Sequence, residues 1–249
     1  MNKKLLSVLA LSTILLFPSC KKFIDKYFPG HGNDKETCRI KEVSQMSFVA
    51  EINRTGKFHY SKGLLDSVTF DIFMGSTGAQ FYYFKYDNNK RLIEYSADYS
   101  REPGDYYIRH KYVYSGNTIV RDTVFVREAG TYTQVKELEY DSQGRVIKED
   151  VVLIEADGEP QNEPQDPNIY EYNEDGNLVQ EEYMDEYDDK VNFLRTNPVL
   201  QFVHRNYSKN NRILANSYND DGLPLSFSVA PIGGFLQWPL PTAIKYQCD

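Results

Sequence analysis

Residues 84–95 read FKYDNNKRLIEY and residues 138–149 read LEYDSQGRVIKE. Each sets an apolar or aromatic residue two places before a tyrosine, turns through Asp with Gly or Asn, and resumes with an apolar pair. The pattern recurs as FHYSKGLLDSV at 58–68, YVYSGNTIV at 112–120, YEYNEDGNLVQE at 170–181 and NSYNDDGLPLSF at 216–227. The repeat-anchor tyrosines Tyr60, Tyr86, Tyr114, Tyr140, Tyr172 and Tyr218 stand 26, 28, 26, 32 and 46 residues apart. A step near 26 that lengthens only where loops are inserted marks a repeat of one supersecondary unit.

That unit is a β-hairpin. Asp or Asn bonds its own backbone in the turn, and Gly accepts positive φ. The flanks alternate with the period of a strand. In DYYIRHKYVY, residues 105–114, Tyr106, Ile108, His110, Tyr112 and Tyr114 share one face, opposite Arg109 and Lys111. The expected fold is all-β: an antiparallel hairpin meander over 38–249, curling into an open roll or barrel. A flat two-sheet sandwich is the alternative. Tyrosine suits a thin sheet because its apolar body covers the surface while the hydroxyl stays wet. One short helical insertion is expected near 198–206, where Asn197-Pro198 supplies an N-cap followed by Pro at the first helical position. Leu200, Val203 and Tyr207 then share a face that plugs one end of the sheet. The stretch EADGEPQNEPQDPN, 155–168, reads as an exposed loop whose prolines cannot join a ladder.

Outward from the repeats, the N-terminus carries an address. Lys3 and Lys4 precede a 13-residue apolar run, Leu5 to Phe17, and Pro18-Ser19-Cys20 ends it. The run is too short to span a bilayer roughly 30 Å thick. Residues 1–19 read as a lipoprotein signal peptide, with Cys20 as the lipid attachment site and 20–37 as a flexible tether. The expected location is the outer membrane, on its periplasmic or its cell-surface side, with the membrane engaged through the lipid. The composition is that of a folded protein, with 20 Tyr and 14 Phe in 249 residues. A net charge of −8 argues against a nucleic-acid partner, which requires a basic face.

The units resemble the YD repeats of Rhs-type proteins, with YDSQGRV at 140–146 the nearest stretch. More fully, the chain resembles a family of Bacteroidota outer-membrane lipoproteins with YD-like tyrosine repeats. Its features are matched here by Cys20, CRIKEV at 38–43, the hairpins, and YDDKVNFLRTNP at 187–198 leading into YSKNN at 207–211. The resemblance implies the all-β fold and the envelope location and carries no activity. Asp66-Ser67-Val68 and Asp122-Thr123-Val124 resemble the sites at which exported proteins of this phylum are O-glycosylated, which makes Ser67 and Thr123 candidate acceptors.

No cofactor or metal is expected. His31, His59, His110 and His204 lack zinc-site spacing, and no nucleophile elbow, phosphate loop or dinucleotide fingerprint occurs. Gly75-Ser76-Thr77-Gly78 reads as a turn. Asp185-Glu186-Tyr187-Asp188-Asp189 reads as a solvated acidic edge, since it lacks the alternating ligands of a Ca²⁺ loop. Glu163 and Asp166 are the acids that a glycosidase reading would draw on. Cys38 opens the first strand and Cys248 closes the last. A rolled sheet brings these together, so the two form a disulfide or remain buried thiols. The expected function is a non-enzymatic binding or scaffold module for glycan or another envelope protein. The alternative is a polysaccharide-acting hydrolase using unmarked carboxylates.

Overall fold

The structure, a computed structural model, describes residues 38–46, 53–71, 81–100, 103–127, 132–161, 165–179, 186–212, 215–227 and 241–248. Strand β1 (Arg39–Met46) is followed by β2 (Asn53–Ser61), β3 (Leu64–Phe70), β4 (Phe81–Tyr86) and β5 (Leu92–Asp98). Next come β6 (Tyr106–Ser115), β7 (Thr118–Val126), β8 (Tyr132–Tyr140) and β9 (Val146–Ala156). The later strands are short: β10 (Glu159–Pro160), β11 (Asn168–Ile169), β12 (Glu171–Tyr172), β13 (Leu178–Val179), β14 (Tyr187–Val191), β15 (Asn210–Arg212), β16 (Ala215–Tyr218) and β17 (Pro224–Phe227). Strand β18 (Pro241–Gln247) ends the series. Fourteen strands form one open antiparallel meander, ordered from β10 back through β1 and on to β18, β17 and β16, with β11 also against β9. β12–β13 and β14–β15 are separate two-stranded ladders.

The four hairpins of Tyr60, Tyr86, Tyr114 and Tyr140 share one register. The anchor tyrosine faces an apolar residue just after the turn, and the ladder then skips one residue on the returning strand. Tyr86 faces Leu92 and Lys85 faces Glu94; Tyr140 faces Val146 and Glu139 faces Lys148. The turns are built as their residues dictate. Asp87 Oδ1 accepts from the backbone N–H of Asn89 and Arg91, both at 2.9 Å, and Asp141 binds Gln143 and Arg145 likewise. Gly144 takes φ +79° in the second turn, and Lys90 holds the same place at +62° in the first.

The chain ends assemble one more unit than the six quoted above. On β18 and β1, Tyr246 faces Ile40, Lys245 faces Glu42, and the shift falls between Ile40 and Glu42. IKYQC at 244–248 and CRIKEV at 38–43 are thus the two halves of a repeat, with the Cys38–Cys248 disulfide where the other units have a turn. Even the exposed Lys–Glu pair of the hairpin stems is reproduced, at 2.6 Å for Lys85–Glu94 and 2.9 Å for Lys245–Glu42.

Inside lies the insertion. A 3₁₀ turn at Phe193–Thr196 leads into helix α1 (Pro198–His204), and the Asn197 side chain accepts from Val199 N–H as its N-cap. Leu200 is fully buried and the Phe202 ring meets Tyr112 edge-on, centroids 5.2 Å apart. Together with Phe193, Leu194 and Val199 they form a single core with apolar residues of β1 to β9, β17 and β18. Burial of each such side chain contributes about 1.5–3 kcal/mol. The 155–168 segment departs from the loop expectation: Glu159 and Pro160 pair with Ala156 and Glu155. Proline is tolerated there because β10 is the sheet edge.

Candidate functional site

The anchor tyrosines do not keep their hydroxyls in water, as their amphipathic character had led us to expect. Each hydroxyl in the regular part donates to a backbone carbonyl of the preceding unit: Tyr60 to Ile40 and Tyr86 to Leu65 at 2.8 Å, Tyr114 to Leu92 at 2.9 Å, and Tyr140 to Ile119 at 2.7 Å. Tyr246 extends the row by donating to Pro224 at 2.9 Å. Burial pushes these phenols up, that of Tyr114 to about 12. Arginines stack on several of the rings, Arg39 on Tyr60, Arg91 on Tyr114 and Arg145 on Tyr172, at 4.9, 4.5 and 3.9 Å from the centroids. The row therefore binds hairpin to hairpin.

The row changes character at the insertion. Tyr172 donates to the Arg205 carbonyl at 3.4 Å and accepts from the Tyr207 N–H, just past α1, at 3.3 Å. Tyr187 donates to the Leu178 carbonyl and Tyr218 to the Asp188 carboxylate at 2.7 Å. Asp188 also accepts from Asn211 N–H and Nδ2, both at 3.0 Å. This acid was expected on a solvated edge. It is half-buried, its carboxylate joined to Asn211 of β15 and Tyr218 of β16, while Glu186 and Asp189 are exposed.

Under α1 sits a buried charge cluster that no sequence pattern announced. Arg205 caps the helix in the left-handed region at φ +52°. Its Nε donates to Glu149 at 2.7 Å and its Nη2 to Asp122 at 3.0 Å. His110 Nδ1 lies 3.0 Å from both oxygens of Asp122, and Lys136 Nζ and the Tyr170 hydroxyl reach Glu149 Oε2 at 3.4 and 2.9 Å. Burial alone would raise the Glu149 carboxyl, but Arg205 and Lys136 outweigh it and bring it down to about 2. Burial pushes the nearby His204 imidazole down to about 4. The carboxylates of Asp122 and Glu149 are 1% and 4% exposed, so the cluster fastens the helix to the sheet.

On the opposite, outer face, a register shift between Ala97 and Asp98 breaks the strict alternation expected for β6. Tyr107 and Ile108 pack against the core, and Tyr106 leaves the inward set. The Tyr106 ring instead has two guanidinium carbons over it, Arg109 at 4.2 Å and Arg127 at 4.1 Å. Arg109 also lies 5.0 Å and Lys111 Nζ 5.7 Å from the Phe125 centroid.

Other expected sites are placed as follows. Cys38 and Cys248 are joined, and Asp221 Oδ2 lies 3.2 Å from Cys38 Sγ. These three residues form the one group spaced to hold a metal among the described residues, but both sulfurs are spent in the disulfide. Ser67 is buried with its hydroxyl on Asp66 at 3.2 Å, and Thr123 is half-buried opposite Lys111. His59 Nε2 meets Thr69 Oγ1 at 2.9 Å, and Asp166 is exposed. The signal, Cys20, the tether with His31, the 75–78 turn, Glu163 and Asp185 lie outside the described residues. Among the described residues no helix is long and apolar enough to cross a membrane. No protein-family model matches the chain, and no curated protein is detectably similar to it.

Proposed function

We propose that the protein is a lipid-anchored, non-enzymatic module of the outer membrane that binds glycan or another envelope protein. The observation that carries this reading is the filling of the sheet's inner face. Leu200, Phe202 and Tyr112 occupy it, and the two carboxylates that converge there, Asp122 and Glu149, are bridged by Arg205. A glycosidase needs two carboxyls about 5–10 Å apart in a cleft open to the sugar. Here the pair is closed off under a helix, which leaves the long outer face of the meander as the working surface. Repeat sheets of this kind present extended surfaces suited to partners.

Lipid labelling in a native host tests the anchor: the chain should take up labelled acyl groups and a Cys20→Ala variant should not. Screening the protein against envelope polysaccharides tests the activity. Binding without release of reducing sugar supports the module, and steady product release would replace it with the hydrolase.

A further inference from the structure

We infer that Arg109, Arg127 and Lys111, set on the Tyr106 and Phe125 rings, bind the carboxylate or sulfate groups of an acidic glycan. This inference rests on the binding-module reading above and gives it a ligand class.

Several cations on this sheet are neutralised. Lys85 pairs with Glu94, Arg121 with Glu137 and Lys148 with Glu139, at 2.6, 3.1 and 2.9 Å. Arg109, Lys111 and Arg127 pair with no carboxylate among the described residues, although the chain carries eight more acids than bases. Two guanidinium groups are nevertheless held over one ring, Tyr106, which is itself only 5% exposed. Cation–π attraction fixes each of them there. Arg109 Nε is in addition a buried donor with no acceptor, and Nη2 has only the long 3.3 Å contact to the Tyr106 hydroxyl. A carboxylate or sulfate group supplies what all three lack, acceptor oxygens and a negative charge.

The rings also hold the guanidinium groups in place beforehand, so little side-chain entropy remains to be lost on binding. Three cations on an otherwise acidic protein suit a ligand with spaced charges and disfavour a dense polyanion such as nucleic acid. Phe125, half-buried between Arg109 and Lys111, adds an apolar surface of the kind that sugar C–H faces cover.

The test is titration of the full chain in nonionic detergent with a uronate oligosaccharide, a sulfated oligosaccharide, a neutral glucan of equal length, and vesicles of anionic phospholipid. The acidic oligosaccharides should bind at least about tenfold more tightly than the neutral one, and raising salt from about 50 to about 300 mM should weaken them about tenfold. R109Q/R127Q should lose that preference, whereas K148Q, elsewhere on the sheet, should keep it. Where the double variant fails to fold, K111Q at an exposed position should still lower acidic-glycan affinity several-fold. Equal binding of neutral and acidic sugars, an unaffected double variant, or preference for vesicles overturns this site while leaving the module reading in place. Absence of binding to any glycan overturns this site and the glycan half of the module reading, leaving an envelope protein as the module's partner.

Discussion

From β1 to β9 the units hold one another by continuous backbone ladders plus one neutral tyrosine-to-carbonyl bond per unit. From β12 to β16 the strands shrink to two to five residues, and side chains take over the pairing. Asn177 Nδ2 donates to Asn210 Oδ1 and Asn210 N–H to Asn177 Oδ1, at 3.0 and 2.9 Å, while Asp188 collects Asn211 and Tyr218. A buried cluster of three charges, Arg205 with Asp122 and Glu149, lies where the insertion meets the sheet. The contrast shows that a repeat built on local bonds tolerates an insertion if polar side chains restore the lost ladder. It also shows that the insertion must be fastened by something stronger than a phenol.

The comparison can be broken or sharpened by substitution, from the largest expected effect down. Cys38→Ala/Cys248→Ala opens a loop of 210 residues and should cost roughly 5 kcal/mol on the chain-entropy model. Denaturant unfolding would read it, and a loss under about 1 kcal/mol would mean that the β1–β18 ladder seals the seam alone. Arg205→Met leaves Asp122 and Glu149 buried without their common partner, for an expected loss of about 3–5 kcal/mol. An unchanged midpoint would show that Lys136 and His110 suffice.

Acid should strike the same cluster. Glu149 is depressed to about 2 from the ordinary 4.5, so its contribution is full above about pH 5 and fades as pH falls toward 2. That amounts to about 3 kcal/mol at most, and Glu149→Gln should flatten this limb of a stability–pH curve. A limb of equal slope in that variant would assign the acid sensitivity elsewhere. Tyr114→Phe should cost only about 1 kcal/mol, since one neutral hydrogen bond to Leu92 is lost. A cost near that of Arg205→Met would erase the distinction between the two regions.

How much of this was legible in the sequence follows from where each signal is local. Asp87 and Asp141 announce their turns because the side chain bonds its own backbone two and four residues on. Asn197-Pro198 announces α1 for the same reason. The Tyr–carbonyl bond was misjudged because its acceptor lies 20 to 22 residues away and a carbonyl has no sequence signature. Arg205 was invisible: its carboxylates are 56 and 83 residues distant, and each sits in an ordinary strand pattern. The outer cation cluster was missed because one bulge moved Tyr106 to the other face, and alternation assumes that none occurs. The split repeat was readable in principle, since IKYQC and CRIKEV match the halves of FKYDNNKRLIEY. It escaped because its halves sit at opposite ends of the chain.

The disulfide at that split also makes residues 38–248 a covalent macrocycle. A protease that cuts one loop of such a domain releases nothing, because both new ends remain attached through the seam. The nicked molecule is a circular permutant of the original, with its old termini stitched and a pair of fresh ones at the cut. A second cut, or reduction of the bond, is needed before any fragment can leave. Residues 38–248 thus stay with the segment that carries Cys20 through any single nick between Cys38 and Cys248.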